Sequence, residues 1–241
     1  MRIHVIKHVP FEGPGLIGEW AEERGHSLET SLAITEEYPA VEDVDLLVVM
    51  GGPMDADDEV ASPWLTPEKR FIAETIAADR LVLGVCLGAQ IIAEILGGCV
   101  KRGRELELGW FPVTLTDAVH TTPLFAGWPD SAVVGHWHGD TFDLPPGMEP
   151  VLSSAVTDNQ AFVFDERVVG LQFHLEWDVE TLRGLLRECP EDPATSGAHV
   201  MTAEEVAARI ATHVRACREL LFGLLDRLAR AGALTGASEE R

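Results

Sequence analysis

The stretch DRLVLGVCLGAQIIAEILGG, residues 79–98, constrains the fold of this chain more than any other. LVLGV is an apolar run of the kind that forms a strand buried on both faces. AQIIAEIL places apolar residues at helical spacing and is closed by Gly97-Gly98. A buried strand that turns at once into a helix belongs to a mostly parallel sheet covered on both faces. The rest of the first half keeps the same rhythm. MRIHVIKHVP alternates as a first strand and ends at Pro10, and FEGPG reads as a loop. LIGEWAEERG reads as a short helix stopped by Gly25, and VDLLVVMGGP as a buried strand that breaks into a glycine turn. TPEKRFIAETIAADR reads as a helix with Thr66 as N-cap and Pro67 at the first helical position. The acidic MDADDEV segment reads as a solvated loop.

The second half is richer in strands: GWFPVTLT, SAVVGHWH and AFVFDERVVGLQFHLEW, with a hairpin at FDERVVG. CPEDPATSGAHVM has the composition of a linker. Thr202 and Glu205 then fit a capping box that opens a long amphipathic helix, expected to pack on its own domain. This divides the chain into a domain over residues 1–185 and a linker plus C-terminal helix over 186–241.

With 241 residues, 46% of them hydrophobic, the chain can build a substantial core. Its formal net charge of −22 excludes a nucleic-acid backbone or an anionic membrane surface as the expected partner. No segment carries 18 consecutive apolar residues, and the N-terminus is too short and polar for a signal peptide. Cys86, Cys99, Cys189 and Cys217 show no CxxC spacing, which fits reduced thiols and a cytoplasmic location.

GVCLG has the form of a nucleophile elbow. Glycines flank the reactive residue because side chains there would collide with neighbouring backbone. The turn is expected to expose the Cys86 sulfur above the C-terminal edge of the sheet, at a helix N-terminus that favours thiolate. A thiolate nucleophile needs a base, and the base needs an orienting group. In GLQFHLEW, His174 and Glu176 are two residues apart, which on a strand places both side chains on one face. His136 and His138 in GHWHGD are rival bases, or metal ligands with His174 or Asp140 as a third. His4, His8, His26, His120, His199 and His213 read as structural or solvent-facing. For an oxyanion, one donor falls on the backbone N–H of Leu87, and the other candidate is the Gly51-Gly52 turn of VVMGGP.

VVMGGP, GVCLGAQ and GLQFHLEW, in that order, resemble the class I glutamine amidotransferase domain, and in particular the stand-alone proteins similar to the glutaminase part of GMP synthetase. The resemblance covers roughly residues 1 to 185. It implies a three-layer α/β/α sandwich, flavodoxin-like, with a Cys-His-Glu triad. On this chain the nucleophile would be Cys86, the base and acid His174, and the orienting carboxylate Glu176. The oxyanion donors would be the N–H groups of Gly52 and Leu87, and Gln90 would hold the glutamine substrate. FHLE stands where FHPE is commoner, and GAQ where GHQ or GMQ is usual; neither change removes a reacting group. No SGGxDS-type loop and no P-loop follows, so the chain does not read as GMP synthetase itself. The resemblance implies a glutaminase that supplies ammonia to a synthase subunit, without cofactor or metal. A homo-oligomer fits as well. The alternatives are a stand-alone hydrolase of γ-glutamyl peptides or conjugates, and a non-catalytic binding protein on the same fold.

Overall fold

The computed structural model describes residues 1–190 and 196–236. Part of the sequence-predicted linker, residues 191–195, lies outside the described residues. The central sheet is mixed and mostly parallel, with nine strands in the order β2-β1-β3-β4-β9-β8-β7-β5-β6. Its first five are β2 (Ser27–Leu32), β1 (Arg2–Lys7), β3 (Leu46–Val49), β4 (Leu81–Val85) and β9 (Val168–Leu171). They pair in parallel throughout, in the strand sequence of a flavodoxin-like sheet. Four more extend the β9 edge through antiparallel pairings: β8 (Ala161–Phe164), β7 (Leu152–Ser153), β5 (Cys99–Leu115) and β6 (Ser131–Asp143).

Helices flank both faces. The sheet face beneath α1 (Leu16–Glu23), α4 (Val179–Glu188) and α5 (Ala203–Gly236) shares one core, in which Trp20, Leu182, Leu221, Leu225 and Leu228 are buried. The other face packs under α2 (Leu65–Ala77) and α3 (Leu87–Ile95) through Phe71, Ile72, Ile91 and Ile92. The central parallel strands β3 and β4 are buried along their whole length, as the unbroken apolar runs LLVV and LVLGV require.

α5 opens on the expected capping box: Glu205 N–H donates to Thr202 Oγ1 at 3.2 Å, and Thr202 N–H to Glu205 Oε2 at 2.9 Å. It is tied down along its length. Asp226 accepts from Trp20 Nε1 and Arg24, and Arg218 pairs with Glu19 and Glu23 of α1. No helix among the described residues is long and apolar enough to cross a membrane.

Two local expectations change, and two elements come in addition. α2 begins at Leu65 behind Trp64, so Thr66 is not its N-cap and Pro67 is the third helical residue. Proline is tolerated there because first-turn N–H groups have no intrahelical acceptor anyway. β2 and α4 are not among the expected elements; β2 is a largely polar edge strand, and α4 opens at Asp178, whose carboxylate accepts from Thr181 N–H at 2.7 Å. β5 runs for 17 residues, far beyond GWFPVTLT, because its charged first half pairs with β6 across an irregularity between Arg102 and Glu107.

Candidate active site

β4 ends at Val85 and α3 starts at Leu87, leaving Cys86 alone on the corner. Its backbone sits at φ 51°, ψ −107°, a conformation L-residues avoid. The two flanking glycines are forced by space. A Cβ on Gly84 would sit 2.6 Å from Ile92 Cδ1, and one on Gly88 would land on the Val49 carbonyl of the neighbouring strand. Gly88→Ala is therefore expected to cost about 3 kcal/mol, roughly 6–12 °C in Tm for a chain of this size, measured by thermal denaturation.

The thiol is not exposed, contrary to the expectation from the elbow alone. Cys86 is 7% accessible and lies on the wall of a cavity of about 430 Å³, which closes over it with residues of the β1–α1 loop, β5, β6 and α4. Its Sγ–H donates to Trp137 O at 3.7 Å, and Gln172 Nε2 donates to Sγ at 3.7 Å. Gln90, on α3, donates in turn to Gln172 Oε1 at 3.2 Å and to Asp140 O at 3.3 Å.

His174 and Glu176 do not lie on a strand. β9 ends at Leu171, and His174 makes a single bridge to Gly135 of β6. The chain past β9 still turns both side chains the same way: His174 Nδ1 meets Glu176 Oε1 at 2.6 Å, both groups buried. The ring stacks on Trp177 with centroids 4.6 Å apart. Trp177 in turn occupies the space over Gly135, where any Cβ would meet it. His174 Nε2 is buried with no hydrogen-bond partner among the described residues. Burial by itself pushes the ring toward the neutral form. The Glu176 carboxylate and the adjacent Cys86 outweigh it and raise the imidazole well above its ordinary range.

Gly52 and Gln90 line the same cavity. Neither the Gly52 nor the Leu87 backbone N–H has an acceptor among the described residues. A Cβ on Gly51 would lie 3.6 Å from Cys86 Cβ and 3.5 Å from His174 Cε1, so the glycine turn passes directly beside the thiol. The structure thus gathers Cys86, His174, Glu176, Gly52, Leu87 and Gln90 at the C-terminal ends of β3, β4 and β9.

The rival histidines both turn to Glu107, although His138 also lines the cavity. His136 is fully buried, and His138 Nε2 lies 3.3 Å from Glu107 Oε2. The third member of that cluster is Glu107, not His174 or Asp140. Burial would raise the Glu107 carboxyl, but His138 and His136 hold it down, to about 2; burial lowers His136 to about 3. Ser154 Oγ and Gln160 Nε2 donate to the same carboxylate at 2.7 and 2.8 Å, so it braces β5 and β6 against the β7–β8 segment. Asp140 pairs with Arg102 at 3.0 Å near the cavity mouth and does not touch His174.

Two residues beside the thiol carry no functional signal of their own. Gln172 contacts the sulfur, and its only sequence signal is its place two residues before His174. Glu12 comes from the FEGPG loop and lines the cavity. Burial pushes its carboxyl up, only partly offset by His174.

A family model described as glutamine amidotransferase class-I matches residues 22–186. The glutamine amidotransferase-like protein YfeJ of Salmonella typhimurium is 33% identical over 236 residues, 96% of this chain and 98% of that protein. A glutamine-hydrolysing GMP synthase of Caldanaerobacter subterraneus is 29% identical over 181 residues, 71% of this chain but only 33% of that enzyme. Among solved structures, a glutamine amidotransferase from Thermotoga maritima superposes with a TM-score of 0.87 at 30% identity, covering 95% of this chain and 98% of that one.

Proposed function

Because this chain belongs to the class I glutamine amidotransferase family, we propose that it is a glutaminase working through Cys86, His174 and Glu176 and passing ammonia to a separate synthase. The observation that carries the proposal is the 2.6 Å His174–Glu176 hydrogen bond beside the cavity-wall thiol, which fixes one ring nitrogen and frees the other. The family relationship supports the same reading.

The Cys86 thiol gives its proton to His174 Nε2, and the thiolate attacks the side-chain amide carbon of glutamine, forming a C–S bond. The carbonyl electrons move to oxygen, which the Gly52 and Leu87 N–H groups receive. His174, held as imidazolium by Glu176, gives its proton to the amide nitrogen, the C–N bond breaks and ammonia leaves. Water then gives a proton to His174 and attacks the thioester. Collapse expels the thiolate and releases glutamate. Gln172 holds the sulfur, Gln90 on the cavity wall holds the glutamine side chain, and Arg102 and Asp140 offer polar partners for the amino-acid end of the substrate. Residues 1–185 form the glutaminase unit of this proposal, with α5 packed on it.

The match to a glutamine-hydrolysing GMP synthase over 33% of its length supports a glutaminase whose ammonia is taken up by a synthase partner. The cavity volume of about 430 Å³ favours a second reading. It is larger than free glutamine requires and falls in the range of drug-sized ligands, which would suit a γ-glutamyl peptide or conjugate with an amine leaving group. Comparing kcat/KM for glutamine and for γ-glutamyl dipeptides, with and without cell extract, separates the two. Glutamine turnover stimulated by extract is the expected result. Fast dipeptide cleavage by the pure chain, unstimulated, would replace it with the hydrolase.

A further inference from the structure

Beneath the Gly51–Gly52 turn lies a buried pair that the proposed chemistry does not use. His8 and Glu68 are both fully buried, with His8 Nε2 at 2.9 Å from Glu68 Oε1. The other ring nitrogen, Nδ1, is 2.9 Å from Gly51 O. A carbonyl oxygen only accepts, so Nδ1 carries a proton and donates it. Nε2 then meets the carboxyl across a second proton, shared within the pair. The placement follows from the sheet. β1 and β3 pair in register from Ile3↔Leu46 to Ile6↔Val49, and the same offset, continued past both strand ends, sets His8 against Gly51.

The Gly51–Gly52 peptide is trans, as all peptides described here are. In a trans peptide the C=O and the following N–H point in opposite directions. A carbonyl held by His8 therefore turns the Gly52 N–H away from His8. That N–H has no acceptor among the described residues, and Gly52 lines the cavity that holds Cys86. Between two glycines the peptide plane can rotate without meeting a side chain of its own. In the opposite orientation a carbonyl oxygen would face the site where negative charge develops, and the buried His8 Nδ1–H would be left unpaired. We propose that His8, backed by Glu68, is a positioning pair that locks the Gly51–Gly52 peptide with its N–H toward the oxyanion. Neither residue touches the reacting atoms. Trp64 packs against the His8 ring at 5.5 Å between centroids, and His8 Cβ lies 2.8 Å from where a Gly52 Cβ would stand, so the glycine lets the turn pass directly over His8.

The inference rests on the oxyanion role proposed for Gly52, and the test separates the two. The double variant His8→Phe, Glu68→Leu removes both polar partners while keeping their bulk. Its kcat is expected to fall by about 10–100-fold, below the ~10²–10³-fold cost of deleting a hole donor outright, with KM within about threefold. Alkylation of Cys86 by iodoacetamide, followed on the Cys86 peptide, has no oxyanion to stabilise and should keep its rate. Glu68→Gln can still donate to His8 Nε2 and leave the proton on Nδ1, so it should retain at least tenfold more kcat than the double variant. In the unsubstituted chain, ¹H–¹⁵N spectra without substrate should show His8 Nδ1 protonated at neutral pH. The proposal is overturned by an unprotonated Nδ1, by a folded double variant with undiminished kcat, or by parallel loss of kcat and alkylation. A chain that turns over neither glutamine nor a γ-glutamyl dipeptide would defeat the proposed function, while the spectrum would still decide whether His8 holds the peptide.

Discussion

Cys86→Ala is expected to abolish turnover, by at least ~10⁴-fold in kcat, with Tm within a few degrees of the unsubstituted chain. Losing the sulfur removes the covalent step, and alanine keeps the Cβ that this corner already accommodates. Cys86→Gly should be equally inactive but more stable, by about 1–2 kcal/mol. Glycine adopts φ 51°, ψ −107° without the strain cysteine stores there. Thermal denaturation of the two variants beside an ammonia-release assay checks both halves. Substantial residual activity in either would rule out covalent catalysis at this thiol. A glutamine-mimicking electrophile should modify Cys86 in preference to Cys99, which is exposed but lies outside the cavity, and to Cys217, whose thiol burial pushes up to about 12. Labelling mainly at another cysteine would count against the assignment.

His174→Ala should lower kcat by about 10⁵-fold or more, and Glu176→Gln by about 10–100-fold less than that, because the carboxylate orients the ring without carrying the proton. The two should also differ in pH dependence. In the folded chain His174 binds its proton more tightly than in the unfolded chain. Its contribution to stability is then complete below the ordinary imidazole range and is lost as pH rises through the raised value. The protonated ring is the form that serves the leaving nitrogen, so activity should fall on the alkaline side. In Glu176→Gln the attraction that outweighs burial is gone, and the alkaline limb of kcat/KM should move to lower pH. An unmoved limb would show that Glu176 does not govern His174. If Glu176→Gln were silent while Asp140→Asn was inactive, the orienting carboxylate would have to be sought in the HGD segment, although Asp140 pairs with Arg102.

The residues of this chain by themselves determined those features that depend on neighbours in sequence. LVLGV followed by CLG dictates a buried strand, a corner and a helix, because only glycine fits where Gly84 and Gly88 meet the next turn and the next strand. His174 and Glu176 meet because two residues of extended chain return side chains to one side, whether or not a strand continues past Leu171. Thr202 and Glu205 cap each other across three residues. The tertiary structure decided everything that requires two distant segments. The thiol is buried because the β1–α1 loop, β5, β6 and α4 close a cavity over it, which the elbow alone does not encode. His136 and His138 turn to Glu107 because the β5–β6 register sets Glu107 opposite His138, 31 residues away, a pairing set by strand alignment, although His138 still lines the cavity. His8 meets Gly51 through the β1–β3 register and Glu68 through the docking of α2. A histidine just past the end of β1 carries no mark of either partner, since burial and pairing across a sheet are properties of the packed layers and not of the strand.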